Sequence, residues 1–254
     1  MGNIISCRTG VFGTLQAAFE NFPKAGVRHA EVPRPADGDY RAMADLAAAH
    51  GVTIATIAGS LKLDSEQTVA AYLPVIDGAH SIGVRKLFVS IGADPQLPRD
   101  LVIGRLRQVA EYARERAVTL CMETHPPFGT NGDTARQTIE AVGHPALRYN
   151  FDTANIYYYN EGTDTITELR KVASLVGSVH LKDTDGRFKG PIFPPLGTGV
   201  VDFPNVFRIL AEVGFTGPYT LEIEGDNVSK LDAAGRQDFL RTCVAYLRTL
   251  GAMA

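Results

Sequence analysis

The chain has 254 residues, 45% of them hydrophobic, and a formal net charge of −3. That length and apolar content allow one large core or two small ones, while the acidic balance argues against nucleic acid, whose phosphates need a basic footprint. No apolar run reaches the roughly 18 residues of a membrane-spanning helix, and the widely spaced Cys7, Cys121 and Cys243 read as reduced thiols of a cytoplasmic protein without a disulfide framework.

In chain order, short β-branched runs alternate with longer helical patterns. The predicted strands are 3–7, 27–32, 52–58, 84–91, 118–124, 147–153, 178–183 and 217–224. Between and after them the sequence predicts helices over 14–26, 39–51, 65–83, 98–117, 134–143, 163–177, 203–214 and 230–251. Several of these end at a glycine (Gly26, Gly51, Gly83, Gly177, Gly214), the usual helix-stop chemistry. Eight strand–helix units in a chain of this size predict a closed (β/α)₈ TIM barrel. A doubly wound open sheet is the runner-up. It usually has fewer strands and often an early Gly-x-Gly-x-x-Gly, which is absent here. No Pro- or Ser-rich linker interrupts the pattern, so one domain over 1–254 is expected.

Parallel strands are covered on both faces and normally read as continuous apolar runs. The last four predicted strands alternate instead. Leu120 and Met122 oppose Cys121 and Glu123. Tyr149 and Phe151 oppose Asn150 and Asp152. Val179 and Leu181 oppose His180 and Lys182, and Leu221 and Ile223 oppose Glu222 and Glu224. The apolar faces must meet the helices, so the polar faces must point into the barrel. Glu123, Asp152, His180 and Glu222 then converge at the C-terminal ends of consecutive strands, where such barrels build active sites. Several carboxylates in one pocket repel each other and are costly to desolvate. A divalent cation is the economical compensation. Oxygen ligands with one imidazole suit Mn²⁺, with Mg²⁺ or Co²⁺ as alternatives. A salt-bridged barrel centre using Lys182, Arg148 and Arg187 is the competing explanation.

The runs ETH (123–125), FDTAN (151–155), VHLKD (179–183), LGTGVVDFPNV (196–206) and GPYTLEIEG (217–225) resemble the xylose isomerase-like barrels. That superfamily includes sugar isomerases and epimerases, inosose dehydratases and the AP endonuclease 2 group with endonuclease IV. The resemblance spans roughly 118–226. It implies one metal held by Glu123, Asp152, His180 and Glu222, with Glu224 as the alternative last ligand. It also implies proton transfer by Glu123 and Glu222 on a keto sugar. Epimerases often have Asp-Thr-x-His on strand six, and here Asn155 stands at the histidine's place. Asn155 can hydrogen-bond a hydroxyl but cannot carry a proton.

Of the remaining candidates, His125 lies two residues beyond Glu123 and could serve as a general base. Lys182, Arg187, Asn155 and Glu31 are expected on the substrate, with a charge partner for the carboxylates as the alternative for Lys182, a solvated surface charge for Arg187 and a place behind the metal ligands for Glu31. Tyr157, Tyr158 and Tyr159 follow strand six on the rim, and three in a row cannot all face a pocket. The Gly197-Thr198-Gly199 run reads as a turn ahead of a helix capped by Asp202, with a phosphate cradle as the weaker alternative. The leading functional expectation is a metal-dependent isomerase or epimerase of a keto sugar, working through an enediolate. A lyase using Glu123 and His125 on a keto-glycoside or inosose is the close alternative. An endonuclease IV-like enzyme is remote, since it would need more strand-end histidines than His125 and His180. A non-catalytic sugar-binding protein would keep the pocket without turnover. A homo-oligomer is compatible with this class.

Overall fold

The computed structural model describes residues 4–253. Its eight strands are β1 (Ile5–Arg8), β2 (His29–Pro33), β3 (Thr53–Lys62), β4 (Lys86–Gly92), β5 (Thr119–Glu123), β6 (Leu147–Asp152), β7 (Val176–Leu181) and β8 (Tyr219–Leu221). They are all parallel and pair in sequence order, and β8 closes onto β1. The expected (β/α)₈ barrel is therefore the observed fold.

The helices form because their apolar residues recur at helical spacing. In Arg99–Glu115, Val102, Ile103, Leu106, Val109, Ala110 and Ala113 make one buried stripe. Burying each larger aliphatic side chain of that stripe contributes about 1.5–3 kcal/mol relative to exposure. Side-chain caps start many helices near the strand ends. Asp39, Ser65, Asn131, Asp164, Asp202 and Asp232 each accept an orphan backbone N–H of the following helix. Asp202 thus caps Phe203–Glu212 as the sequence predicts.

Among the boundaries that differ from expectation, four have a clear physical reason, while the helix expected over 65–83 divides into Glu66–Ala70 and Leu73–Ser81. The first predicted strand begins at Asn3, which lies outside the described residues, and β1 extends to Arg8 by pairing with Glu31 on β2. Gly177 lies inside β7 rather than ending a helix. A Cβ there would stand 2.6 Å from the Arg148 Cβ and 2.9 Å from the Cys121 Sγ, so packing rather than helix termination requires glycine. The last strand stops at Leu221, where β1 supplies no further partner, although the Glu222 N–H still donates to the Leu181 carbonyl at 3.2 Å. Finally, Asn155–Tyr159 forms a short helix started by the Asp152 side chain, whose Oδ1 accepts from the N–H groups of Ala154 and Asn155.

The register sets the site. Asp152 pairs with His180, and His180 with Thr220, so these strand ends are level across three neighbouring strands. Below them the barrel interior is polar: Ser6 meets Thr220 at 2.7 Å, and Ser178 donates to Asn150 at 2.6 Å.

Candidate active site and metal centre

Asp152, His180 and Glu222 come together at the ends of β6, β7 and β8, with one ligand-type atom of each within 4.8 Å of the others. All three are buried. The His180 Nδ1 faces the carboxylates, 3.3 Å from Glu222 Oε2 and 4.0 Å from Asp152 Oδ2. Its Nε2 lies 3.1 Å from Glu31 Oε1 and 3.2 Å from Oε2. Phe88 from β4 stacks on the imidazole at 4.5 Å. A carboxylate behind a histidine fixes its tautomer and aims the other nitrogen forward, the arrangement that orients metal-binding imidazoles.

The site is ringed by cations. The Lys182 Nζ lies 2.7 Å from Glu222 Oε2, 3.1 Å from Asp152 Oδ2 and 2.8 Å from Glu224 Oε1. Arg8 donates to Glu222 Oε1 and has its Nε 3.7 Å from Glu31 Oε1. This charge balance sets the titration of the group. Burial pushes the Asp152 carboxyl up to about 7, against the pull of Lys182. Burial acts the same way on Glu222, yet Lys182, His180 and Arg8 together hold it well below the usual carboxylate range. Burial alone would lower His180, but Glu31 and Glu222 hold it well above its ordinary value. Two neighbouring carboxyls are thus driven in opposite directions by the charges around them.

The donor set fits a divalent cation on one observation in particular. Asp152 Oδ2 is buried and accepts no hydrogen bond, although Lys182 is near it. A buried carboxylate oxygen without an aligned donor is costly, and a cation shared with Glu222 and His180 would satisfy it.

The other predicted residues divide into those that join this centre and those that do not. Glu123 stands outside the triad. It is half-buried, its side chain makes no hydrogen bond or ion pair among the described residues, and it lines a cavity of about 280 Å³ with Asn155, Tyr158, Tyr159, Phe193 and Glu224. Asn155 also donates its side-chain amide to the Thr124 carbonyl at 3.1 Å. A second cavity of about 410 Å³ shares Arg8, Glu222 and Glu224 with the first and continues toward Val11, Ser229 and Arg236.

His125 packs edge-on against Tyr159 at 5.2 Å, and its Nδ1 is turned to the Pro126 carbonyl. It therefore buttresses the wall that Tyr159 presents to the cavity. Glu31 is 1% exposed behind His180, paired with Arg8 at the end of β1 and turned inward. Arg187 takes the second of its two expected places. It is exposed on the loop after β7 and bonded to Asp185. Of the three cations considered for a salt-bridged centre, only Lys182 is present there. Arg148 caps the Ser174 carbonyl at the opposite end of the barrel.

The tyrosine run resolves through its helix: Tyr158 and Tyr159 face the cavity, and Tyr157 packs on the core. The Gly197–Gly199 turn is no phosphate cradle, since its N–H groups are already taken. Asp183, 1% exposed, accepts from the N–H groups of Gly197 and Gly199, both at 2.9 Å, and from Val201 at 3.2 Å. That anchor holds the loop bearing Phe193, whose ring lies 4.8 Å below the Lys182 ammonium. Arg8 and Phe88 escaped the sequence reading. The alternation Ile5-Ser6-Cys7-Arg8 does place Arg8 on the inward face, so that signal was present; Phe88 is apolar and carries no such mark.

Comparison with known proteins agrees with this architecture. A family model described as xylose isomerase-like TIM barrel matches residues 17–243. The L-ribulose-5-phosphate 3-epimerase UlaE of Escherichia coli K12 is 32% identical over 120 residues, which is 46% of this chain and 40% of that protein. The chain thus matches less than half the length of that relative. Among solved structures, a xylose isomerase domain protein from Planctomyces limnophilus superposes with a TM-score of 0.80 at 24% identity, covering 98% of both chains. An L-ribulose 3-epimerase superposes at 0.78 and 21% identity, covering 98% of this chain and 94% of the other.

Proposed function

Because the chain belongs to the xylose isomerase-like TIM barrel family, we propose that its buried centre serves metal-dependent isomerisation or epimerisation of a keto sugar. The carrying observation is the buried Asp152–His180–Glu222 triad, whose ligand atoms lie within 4.8 Å of one another, beside the Glu123 carboxylate lining the adjacent cavity. The epimerase UlaE among its relatives supports the reaction class. In this reading 1–254 acts as one domain.

Asp152, His180 and Glu222 would hold the ion, with Glu123 as the fourth ligand from the cavity side, and the set suits Mn²⁺, Mg²⁺ or Co²⁺. When bound, the ion would polarise neighbouring ketose oxygens and acidify the carbon-bound proton between them. The chain's own groups do the rest. Glu123 and Glu222 accept and return that proton, which gives an enediolate between the two transfers. Asn155 and Lys182 bind substrate oxygens. Tyr158, Tyr159 and Phe193 offer ring faces to the sugar and exclude water. Lyase chemistry on a keto-glycoside is the second reading, because the same aromatic wall suits an aglycone ring.

Solvent deuterium exchange into a panel of ketoses, ketose phosphates and 3-keto-glycosides, with Mn²⁺ present, tests both readings. Deuterium at a carbon next to the carbonyl is the expected result, and product analysis separates epimer from cleaved aglycone. A protein that binds these compounds yet exchanges no proton would be a sugar-binding protein instead.

A further inference from the structure

Lys182 stands in an unusual position for a substrate-binding lysine. It is 2% exposed, and its ammonium contacts two of the three side chains of the triad. The oxygens it approaches, Asp152 Oδ2 and Glu222 Oε2, are the ones nearest the His180 Nδ1. A divalent ion held by that triad would draw on the same carboxylates. The ammonium would then stand beside a second cation on shared ligands, where like charges repel strongly in a water-poor site.

An alternative position lies within reach of the same side chain. Glu224 Oε1 is already 2.8 Å from the ammonium, its side chain is 47% exposed, and the Phe193 ring face lies 4.8 Å away. A carboxylate and a ring face together make a suitable resting place for a lysine on a flexible four-carbon stem. The grip on the triad is weakest at Asp152, whose Oδ2 receives no aligned hydrogen bond.

We infer that Lys182 is an internal competitor for the divalent ion, a tethered cation that neutralises Asp152 and Glu222 until the ion arrives and then withdraws to Glu224. The inference rests on the metal-centre reading above. It gives Glu224 a role of its own: it sets how readily the lysine leaves. The exchange also places the ammonium over the cavity only when the ion is bound, so ion binding and the substrate-facing charge are coupled.

The test is a Mn²⁺ titration by calorimetry on the wild type, Lys182→Met and Glu224→Gln, combined with a lysine footprint. Lys182→Met should bind Mn²⁺ about tenfold tighter or more, because the competing charge is gone. Glu224→Gln should bind several-fold more weakly, because the lysine has lost its alternative partner. In the wild type, reductive methylation read by mass spectrometry should rise several-fold at Lys182 on adding Mn²⁺, with the exposed Lys24 and Lys230 unchanged as controls. Equal affinities in all three proteins, or a Lys182 equally protected with and without Mn²⁺, would overturn the inference. If Lys182→Met fails to fold, Glu224→Gln and the footprint still decide. Absence of Mn²⁺ binding in every protein would instead remove the metal centre itself, and the inference with it.

Discussion

The strands β1–β4 and β5–β8 are built alike on the outside of the barrel and differ inside it. Both halves bury apolar side chains beneath their helices. In the second half, each strand end delivers a group able to ligate or move a proton: Glu123, Asp152, His180 and Glu222. In the first half Arg8, Glu31 and Phe88 point inward near the site, and each acts on a residue of the second half. Arg8 donates to Glu222, Glu31 backs His180, and Phe88 stacks on the same imidazole. In the proposed reading, one half would carry the chemistry, and the other would aim and neutralise it. A closed barrel makes this division possible, because strands far apart in sequence face each other across its interior.

The largest expected effects lie in the second half. Asp152→Asn and His180→Ala should each abolish high-affinity Mn²⁺ binding and proton exchange together. Retention of either property by both variants would mean that the second half is not the chemical half. Support from the first half should be graded rather than absolute. Glu31→Gln leaves the ligands in place but loosens the tautomer of His180, so Mn²⁺ affinity should fall by about 10–100-fold. An affinity equal to wild type by calorimetry would show that Glu31 has no hold on the imidazole.

His125 sharpens the division within the second half. Its contact with Tyr159 predicts that His125→Ala raises KM with much less loss of kcat. A fall in kcat of about 10²-fold at unchanged KM would instead make it an acid–base group and favour the lyase reading.

How much of this was legible in the sequence follows from the same division. The alternation of polar and apolar residues in the last four strands exposed their inward faces. A carboxylate at the end of an apolar strand has few explanations other than a site. The helix pattern likewise gave the barrel. The supporting half was less legible because its groups act through others. Glu31 looks the same in sequence whether it touches substrate or a histidine, and only the closure of β1 and β2 against β7 and β8 places it behind His180. Arg187 was hard to place for the opposite reason. A charge on a long loop after a catalytic strand has no register to fix it, and the local partner Asp185 claims it. The anchoring of that loop by Asp183 was hidden as well, since an aspartate collecting backbone N–H groups carries no sequence periodicity.

The smallest predicted effect lies away from both halves of the centre. Arg114 and His144 hold Glu111 down to about 2. A carboxyl depressed in the folded state stabilises above its ordinary value near about 4.3. That contribution is lost as pH falls from there toward about 2. The melting-temperature difference between wild type and Glu111→Gln should therefore shrink over that acidic window. Because the group is fully exposed, added salt should also reduce it. A difference constant across the window would assign the contact no electrostatic role.

The central claim is that Asp152, His180 and Glu222, clustered at the ends of β6, β7 and β8, form a metal centre. Elemental analysis of protein loaded with Mn²⁺ and freed of excess ion tests it most directly, with Asp152→Asn treated identically. The account predicts about one equivalent of metal per chain in the wild type and a small fraction of that in the variant. No retained metal in the wild type, or equal retention in both proteins, would contradict it.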